Sequence, residues 1–307
     1  MSFRVAIGVA GIAVLLALPV EGQSASRIIA RADSAFVAGN LPLADSLFYV
    51  VVRARPRDPT GRLALGQFLG VQGKAKVAVV LLEEARMFGG DPGEIARLLV
   101  PYYEDLNDWR ALLTLPGSSL TTTERRRAAW LSENSFAVAS EGGAAPIVGV
   151  PKGDTIARVA VRVDGRAAVA AIVSTDVRFL VGSRLTSTAH HFGNDSATVA
   201  FDSITVGQTK FVNVPASTGA TASSLAIGVA ALGRLVVRID YARDRLVMTK
   251  TDGGKVDSRY PLARFNGQLS VLDRGRWIPL SEFAATAAKA RSTLVVDFPA
   301  GEVRIGK

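Results

Sequence analysis

Carboxylates and hydroxyls are the side chains with which this chain of 307 residues could perform acid–base or nucleophilic chemistry. It has 27 aspartates and glutamates, no cysteine and two histidines, His190 and His191. The lack of cysteine excludes a disulfide framework, a thiolate nucleophile and a cysteine zinc site. The composition therefore leaves a carboxylate-based enzyme, a hydroxyl nucleophile with an unusual base, or a binding protein.

Other chemistries have weak candidates. His190 and His191 are adjacent, so their side chains point apart and we expect no shared metal site. The sequence contains no Gly-x-Ser-x-Gly elbow for a serine triad. Residues 70–74 resemble a phosphate-binding loop, but Phe68 replaces its first glycine and Ala75 its Ser or Thr. We predict a helix-joining turn there, with no metal and no cofactor.

Residues 143–250 alternate apolar and polar side chains in short runs, which predicts β-strands. Ala157–Val163 and Ala167–Val173 flank Asp164-Gly165, a dipeptide typical of a two-residue hairpin turn. Short strands with few helices between them favour a closed or folded-over β structure. One helix is expected at 181–188, and Asp164 and Asp240 are expected to have structural roles.

A series of motifs follows between residues 154 and 250. In chain order they are Val163-Asp-Gly165, Ile172-Val-Ser-Thr-Asp176, Val181-Gly-Ser-Arg-Leu185, Ile204-Thr-Val-Gly207, Asn213-Val-Pro215, Ile227-Gly228 and Val237-Arg-Ile-Asp-Tyr241. This order resembles the retropepsin-like aspartyl protease domain of exported bacterial proteins. That family has a strand ending in Asp-Thr-Gly, a flap hairpin, a stretch ending in Leu-Gly and a final Ile-Asp-Tyr hairpin. The resemblance implies a mainly-β acid protease barrel.

The mechanism that the resemblance implies needs two carboxylates in contact that share one proton, one of them from a second domain or subunit. Here Ser174 stands in the position of the catalytic Asp, Thr175 agrees with the family, and Asp176 replaces the glycine. A hydroxyl cannot serve as the general base, and a side chain in place of glycine opposes close approach of the two backbones. Ser224 and Leu225 replace the family's usual Asp-Gly, a second departure.

Three interpretations of this degenerate loop remain open. We favour a catalytically inactive fold that is used for binding. In the second, Asp176 has taken over catalysis in an aspartyl endopeptidase, and a homodimer through the β domain brings two copies together. In the third, the β domain is unrelated to this family. We prefer the first because a carboxylate displaced by two residues needs its whole loop rebuilt.

The first half of the chain repeats with a period of 34 residues. Gly39, Gly73 and Asn107 are each 34 residues apart, and so are Ala44 and Ala78. This period is typical of helix–turn–helix units that stack because one pair cannot bury its own apolar face.

The repeating segment resembles the tetratricopeptide repeat. Leu65-Gly66 stands where that family has Leu-Gly, and Gly73, Ala78 and Ala85 follow at its intervals. The third copy is degenerate, since Leu112 replaces a small residue. The resemblance implies two to three repeats whose concave surface binds a peptide or protein. An unrelated helical bundle is the alternative.

The first 22 residues have the order of a secretory signal peptide. A basic start at Arg4 precedes an apolar run of 16 residues, Val5–Val20, which is shorter than the roughly 20 of a spanning helix. We predict cleavage near Gly22 and a periplasmic or secreted protein. A retained membrane anchor is the alternative.

The formal net charge of +9 raises the question of an anionic partner, which for an exported protein is an anionic envelope component or an acidic protein. The densest clusters are residues 125–127 and the alternating Arg53, Arg55 and Arg57. We expect these clusters to be an ordinary solvated surface, and a site for an anionic partner is the alternative. No aromatic side chains interleave with these clusters, so nucleic acid is not expected.

The last segment predicts a helix at 282–290 capped by Ser281, and a hairpin of Thr293–Phe298 and Glu302–Ile305. We interpret it as a cover over the β domain, with Asp297 as a turn acid and no catalytic partner for the first lobe.

The predicted protein is a multidomain α plus β chain. Its parts are a signal peptide (1–22), tetratricopeptide-like repeats (23–130), a retropepsin-like β domain (131–250) and a small α+β extension (251–307). It binds a protein, peptide or envelope partner through the repeat groove, the old substrate cleft or both. The sequence assigns no binding residue and does not distinguish this protein from a structural envelope component.

Overall fold

The computed structural model describes residues 24–149, 152–173, 179–193, 198–219, 225–251, 258–265 and 268–306. The predicted signal peptide, residues 1–22, lies outside them. The α-helices in these ranges are α1 Ala25–Val37, α2 Leu41–Ala54, α3 Pro59–Val71, α4 Ala75–Met87, α5 Pro92–Leu106, α6 Trp109–Thr114, α7 Thr122–Glu133, α8 Val229–Leu232 and α9 Leu280–Lys289.

The strands in the same ranges all lie after α7 and form one connected sheet. They are β1 Ala137–Ser140, β2 Ala144–Gly149, β3 Thr155–Val163, β4 Arg166–Val173, β5 Phe179–Val181, β6 His190–His191, β7 Thr198–Val206, β8 Thr209–Thr218, β9 Leu225–Ile227, β10 Val236–Asp240, β11 Arg245–Thr249, β12 Ser258–Phe265, β13 Gln268–Asp273, β14 Arg276–Pro279, β15 Thr293–Asp297 and β16 Glu302–Gly306. The predicted order of a helical half followed by a β-rich half is therefore confirmed.

Three helical hairpins begin the chain: α1 with α2, α3 with α4, and α5 with α6. One residue in the turn of each hairpin has left-handed backbone: Gly39 at φ 76°, Gly73 at φ 79° and Asn107 at φ 55°. Glycine and asparagine adopt this conformation at low cost, and it ends a helix. The predicted helix-joining turn after α3 is confirmed. Membership of the tetratricopeptide family stays a prediction.

Small residues let the two helices of the second hairpin approach each other closely. A Cβ added to Gly66 on α3 would lie 3.1 Å from Cγ of Leu82 and 3.4 Å from the carbonyl oxygen of Ala78, both on α4. Ala78 is fully buried, and so is Ala44, one period earlier. The alanines therefore lie where a larger side chain would push the helices apart.

Five of these helices begin at a side chain that accepts a hydrogen bond from the first turn, which satisfies one of the helix's exposed N–H groups. The capping residues are Asn40, Asp58, Asp91, Asp108 and Thr121. The exception in the second hairpin is α4, whose N-cap residue is Lys74 and makes no side-chain cap. A lysine has no acceptor to offer there.

The third hairpin departs from the pattern. α6 has six residues, and Leu112, where the earlier hairpins have alanine, is 1% exposed. Tyr103 on α5 ties this hairpin to the second one, because its hydroxyl donates a 2.8 Å hydrogen bond to Oε1 of Glu83. Burial, and then this bond to a carboxylate, raises the pKa of Tyr103 far above its usual value.

Six strands close into a ring. β3 pairs with β4, β4 with β9, β9 with β5, β5 with β8, β8 with β7, and β7 returns to β3. The β4–β9 and β5–β8 pairs are parallel and the other four are antiparallel. Fully buried Ile156, Ile172, Phe201 and Phe211 belong to the core of this half. The prediction of a closed β structure is confirmed.

Two predicted turn acids have the structural roles expected of them. Asp164 and Gly165 make the β3–β4 turn with φ 46° and 81°, and Oδ1 of Asp164 accepts a 2.8 Å hydrogen bond from the N–H of Ser203. Asp240 ends β10, where its Oδ1 accepts hydrogen bonds from the N–H groups of Ala242 and Arg243. Both carboxylates therefore stabilise chain reversals.

Tyr241 connects the last hairpin of the barrel to β3. Its hydroxyl donates a 2.8 Å hydrogen bond to the carbonyl oxygen of Ile156. Burial raises the pKa of Tyr241 far above its usual value, because the ionised phenolate would lose its hydration. This bond gives a structural reason for a tyrosine at that position.

The C-terminal segment continues the sheet, whereas the sequence predicts a cover over it. β15 pairs with β10 and β16, and β16 pairs with β12. Within this segment α9 lies on the strands, against β3 and β13 to β15. Asp297 is a turn acid as predicted, since its Oδ1 accepts a hydrogen bond from the N–H of Ala300.

Two local predictions differ from the structure. The expected helix at 181–188 is shorter and is a 3-10 helix, Ser183–Thr188, because Val181 pairs in β5. Ser281 does not cap α9, which begins at Leu280 with Pro279 as its N-cap residue. α7 continues to Glu133, and the division of the chain into domains stays a prediction.

Among the described residues, no helix has both the length and the apolar character that crossing a bilayer requires.

Replacing Ala78 with Trp should destabilise the helical half by about 3 kcal/mol or more, because the indole overpacks the contact between α3 and α4. Val80→Trp, on the same helix but at a site that is 56% exposed, is the matched control and should cost less than about 0.5 kcal/mol. Urea unfolding followed by circular dichroism measures both. Equal stability of the two variants would contradict the assigned helix crossing.

Candidate functional site

The end of β4 is the position from which the sequence predicts chemistry. β9 lies between β4 and β5: Ile227 pairs in parallel with Ile172 of β4 and antiparallel with Phe179 of β5. β4 ends at Val173, and β5 begins at Phe179. The strands that precede and follow residues 174–178 in the sequence therefore both pair with β9.

The predicted site residues Ser174, Thr175 and Asp176 lie outside the described residues, and so does Ser224. Leu225 begins β9 and pairs with Ala170. With Ser224, it stands where the family usually has Asp-Gly. Its side chain is fully buried. An apolar core residue therefore occupies a position where the resemblance leads us to expect the glycine of Asp-Gly.

The two histidines have different partners. Nε2 of His190 lies 2.9 Å from Oδ1 of Asp202, and its ring lies 5.1 Å from that of Trp130 on α7. Nε2 of His191 lies 3.1 Å from the carbonyl oxygen of Thr186. The described ranges contain no group of three histidines and acids that could hold a metal ion.

One arginine of the densest basic cluster is engaged within the helical half. Nη2 of Arg127 lies 2.7 Å from Oε1 of Glu104, and its guanidinium lies 5.9 Å from the ring centre of Trp109. Arg125 and Arg126 are exposed. An anionic envelope partner at this cluster stays a prediction, with two of its three arginines available on the surface.

The turn of the first helical hairpin lies against the β half. A Cβ added to Gly39 would lie 3.2 Å from the carbonyl oxygen of Gly275, in the β13–β14 turn. Beside it, Nε1 of Trp277 donates a 3.0 Å hydrogen bond to the carbonyl oxygen of Phe36, and the two rings lie 5.4 Å apart. Residue 39 must therefore be glycine, because its φ is positive and because a Cβ would lie too close to the β13–β14 turn.

The turns of the other two hairpins make the same kind of contact. Gly301, in the β15–β16 turn, lies beside the carbonyl oxygen of Gln72, at which an added Cβ would be in van der Waals contact at 3.4 Å. Arg234 donates a 2.7 Å hydrogen bond from Nη2 to the carbonyl oxygen of Leu106. The turns that recur every 34 positions therefore lie at the edge of the helical half that meets the β half.

A cavity of about 1030 Å³ lies along this edge. Its charged lining residues are Lys74, Lys76, Asp105, Asp108, Arg234 and Arg264. Nη2 of Arg264 lies 3.0 Å from Oδ2 of Asp105 across the two halves, and each side chain is 17% exposed. The cavity walls therefore carry both positively and negatively charged side chains.

No sequence pattern indicates this cavity. Its residues come from segments up to about 230 positions apart, so no local pattern joins them. One signal was available in the sequence: Lys74 occupies the N-cap position of a predicted helix, where Ser, Thr, Asn or Asp is preferred. A lysine at this position indicates that the start of this helix lacks the usual side-chain cap.

The comparisons with known proteins give distant structural neighbours. No protein-family model matches the chain, and no curated protein matches it. Among solved structures, it is similar to a retropepsin-like aspartic protease from Rickettsia conorii, with 14% sequence identity and a TM-score of 0.26. The match covers 38% of this chain and 93% of that chain.

The Asp105–Arg264 pair should contribute to holding the two halves together. We expect alanine substitutions, made singly and together, to give a coupling energy of about 1 kcal/mol or more in urea unfolding, because both side chains are largely shielded from water. The control is the Arg259–Glu302 pair, 3.6 Å apart with Arg259 68% exposed. It should give about 0.5 kcal/mol or less. A coupling energy no larger than that of the control would contradict this role.

Proposed function

We propose that this protein is an exported binding protein with a retropepsin-like β half that holds a protein or peptide partner without cleaving it. The observation that carries the proposal is Ser174 in the position of the catalytic acid, directly after β4. Export is proposed from the signal-like order of residues 1–22. The binding partner is proposed to contact the helical half, the old substrate cleft or both.

The chemistry of the loop supports binding over proteolysis. Peptide hydrolysis by this class needs a carboxylate that activates water and a second carboxyl group that protonates the carbonyl oxygen. The hydroxyl of Ser174 stays protonated at biological pH and cannot accept the proton from water. Asp176 is two residues further on in the sequence, and the strands on either side of it, β4 and β5, both pair with β9.

Exposed apolar side chains on the helical half support a protein or peptide partner. Val77, Val80 and Met87 lie on α4 and are 47%, 56% and 78% exposed; Leu43 and Tyr49 on α2 are 43% and 40% exposed. The three residues on α4 are spaced by three and seven positions, which places them on one side of that helix, and exposed apolar side chains that share a surface are typical of interaction sites. These residues belong to the second helices of the first two hairpins.

A fluorescently labelled unfolded casein tests the proposal. Between about pH 3 and 7 we expect its anisotropy to rise with protein concentration while gel electrophoresis shows no fragments. Val80→Glu/Met87→Glu should weaken binding by about tenfold or more, since about 1.4 kcal/mol of lost contact is a factor of ten.

Two controls make this experiment decisive. Val148→Glu changes a residue of β2 that is 53% exposed, and it should leave binding unchanged. An active aspartic protease run in parallel shows that the casein is cleavable. Cleavage by the wild-type protein that disappears in Asp176→Asn would establish the endopeptidase in place of the binding protein.

A further inference from the structure

The cavity between the halves has the size of a small-molecule site. Its volume of about 1030 Å³ is close to the upper end of the roughly 300–1,000 Å³ of ligand pockets. One wall comes from the α3–α4 and α5–α6 turns, and the other from β12, β13 and the β15–β16 turn. None of its lining residues belongs to β4, β5 or β9, so it is separate from the strand-end loop.

The charges on the cavity walls favour an anion. Four cations and two carboxylates line it, which leaves a net charge of +2. The carboxylates are engaged within the protein: Asp105 pairs with Arg264, and Oδ1 of Asp108 accepts a 3.1 Å hydrogen bond from the N–H of Ala111. Lys74 and Lys76 are exposed and make no ion pair within the described ranges.

The start of α4 concentrates this positive charge. Lys74 is its N-cap residue and Lys76 lies in its first turn, at the end where the helix dipole is itself positive. No side chain accepts a hydrogen bond from the first turn of this helix. The positive end of the helix dipole repels the charges of these two lysines. An anion bound between the lysines would offset this repulsion and accept hydrogen bonds from backbone N–H groups of the first turn.

The cavity also offers apolar surface and one unsatisfied polar atom. Val77, Leu262, Leu269 and Phe298 contribute to its walls. Asn107 lines it too, and its side-chain Oδ1 is shielded from solvent with no hydrogen-bond partner in the described part of the chain. A ligand with an apolar body and polar groups would match these walls better than a bare inorganic ion.

We propose that this cavity binds a small soluble organic anion with a phosphate or carboxylate head group. The head group lies between Lys74 and Lys76 at the start of α4, and the apolar body contacts Leu262 and Phe298. The proposal goes beyond the proposed function, because it holds whether or not the strand-end loop is catalytic. Since both halves supply the walls, the bound anion also contacts both halves and stabilises their association.

Isothermal titration calorimetry of the full chain with octyl phosphate and octanoate tests the proposal. We expect saturable binding of one ligand per chain that weakens as salt is added. Lys74→Gln/Lys76→Gln should weaken binding by about tenfold or more, because two charge-assisted contacts are lost. The matched control is Lys210→Gln/Lys289→Gln, which changes two exposed lysines outside the cavity and should leave binding unchanged.

A second variant separates binding from stability. Val77→Glu adds a carboxylate at the third residue of α4, where it stabilises the helix, and it should raise the melting temperature slightly while weakening octyl phosphate binding. Octan-1-ol tests the head group, and inorganic phosphate tests the apolar body; both should bind at least about tenfold more weakly than octyl phosphate. Equal binding of either probe, unchanged binding by the lysine variant, or no binding of octyl phosphate would overturn the proposal.

Discussion

The pairing of β9 between β4 and β5 is the constraint on which the functional interpretation depends. β9, a strand of three residues, pairs with both β4 and β5, the strands that flank residues 174–178 in the sequence. Because Leu225 and Ile227 are fully buried, β9 cannot slide without exposing the core. This pairing therefore fixes the end of β4 relative to the start of β5.

A second constraint joins the two halves. The helical hairpins meet the β half through their turns, at Gly39, Gln72 and Leu106, and each turn meets a different chain reversal or side chain of the β half. The repeat period of the helices thus sets the spacing of the contacts. The Asp105–Arg264 pair and the cavity beside it lie in the same region, between the turns of the helical hairpins and the β half.

Local patterns predicted much of this fold. The helix-joining turn at Gly73, the Asp164-Gly165 hairpin and the structural role of Asp240 all depend on neighbours within a few residues. The prediction failed where distant pairing decides: β15 joins β10, so the tail extends the sheet. The interface cavity was missed for the same reason, since Lys74 and Arg264 are brought together by tertiary packing. Ser174 to Asp176 lie outside the described residues, so their interpretation rests on their residue types and on the resemblance that the sequence carries.

The central claim is that no pair of carboxyl groups shares a proton at the end of β4. Calorimetric titration with a statine-type inhibitor, whose hydroxyl binds between two such groups, measures this most directly between about pH 3 and 7. We predict no saturable heat at any pH in this range. Saturable binding of one inhibitor per two chains, lost in Asp176→Asn, would contradict the claim and establish a paired active site.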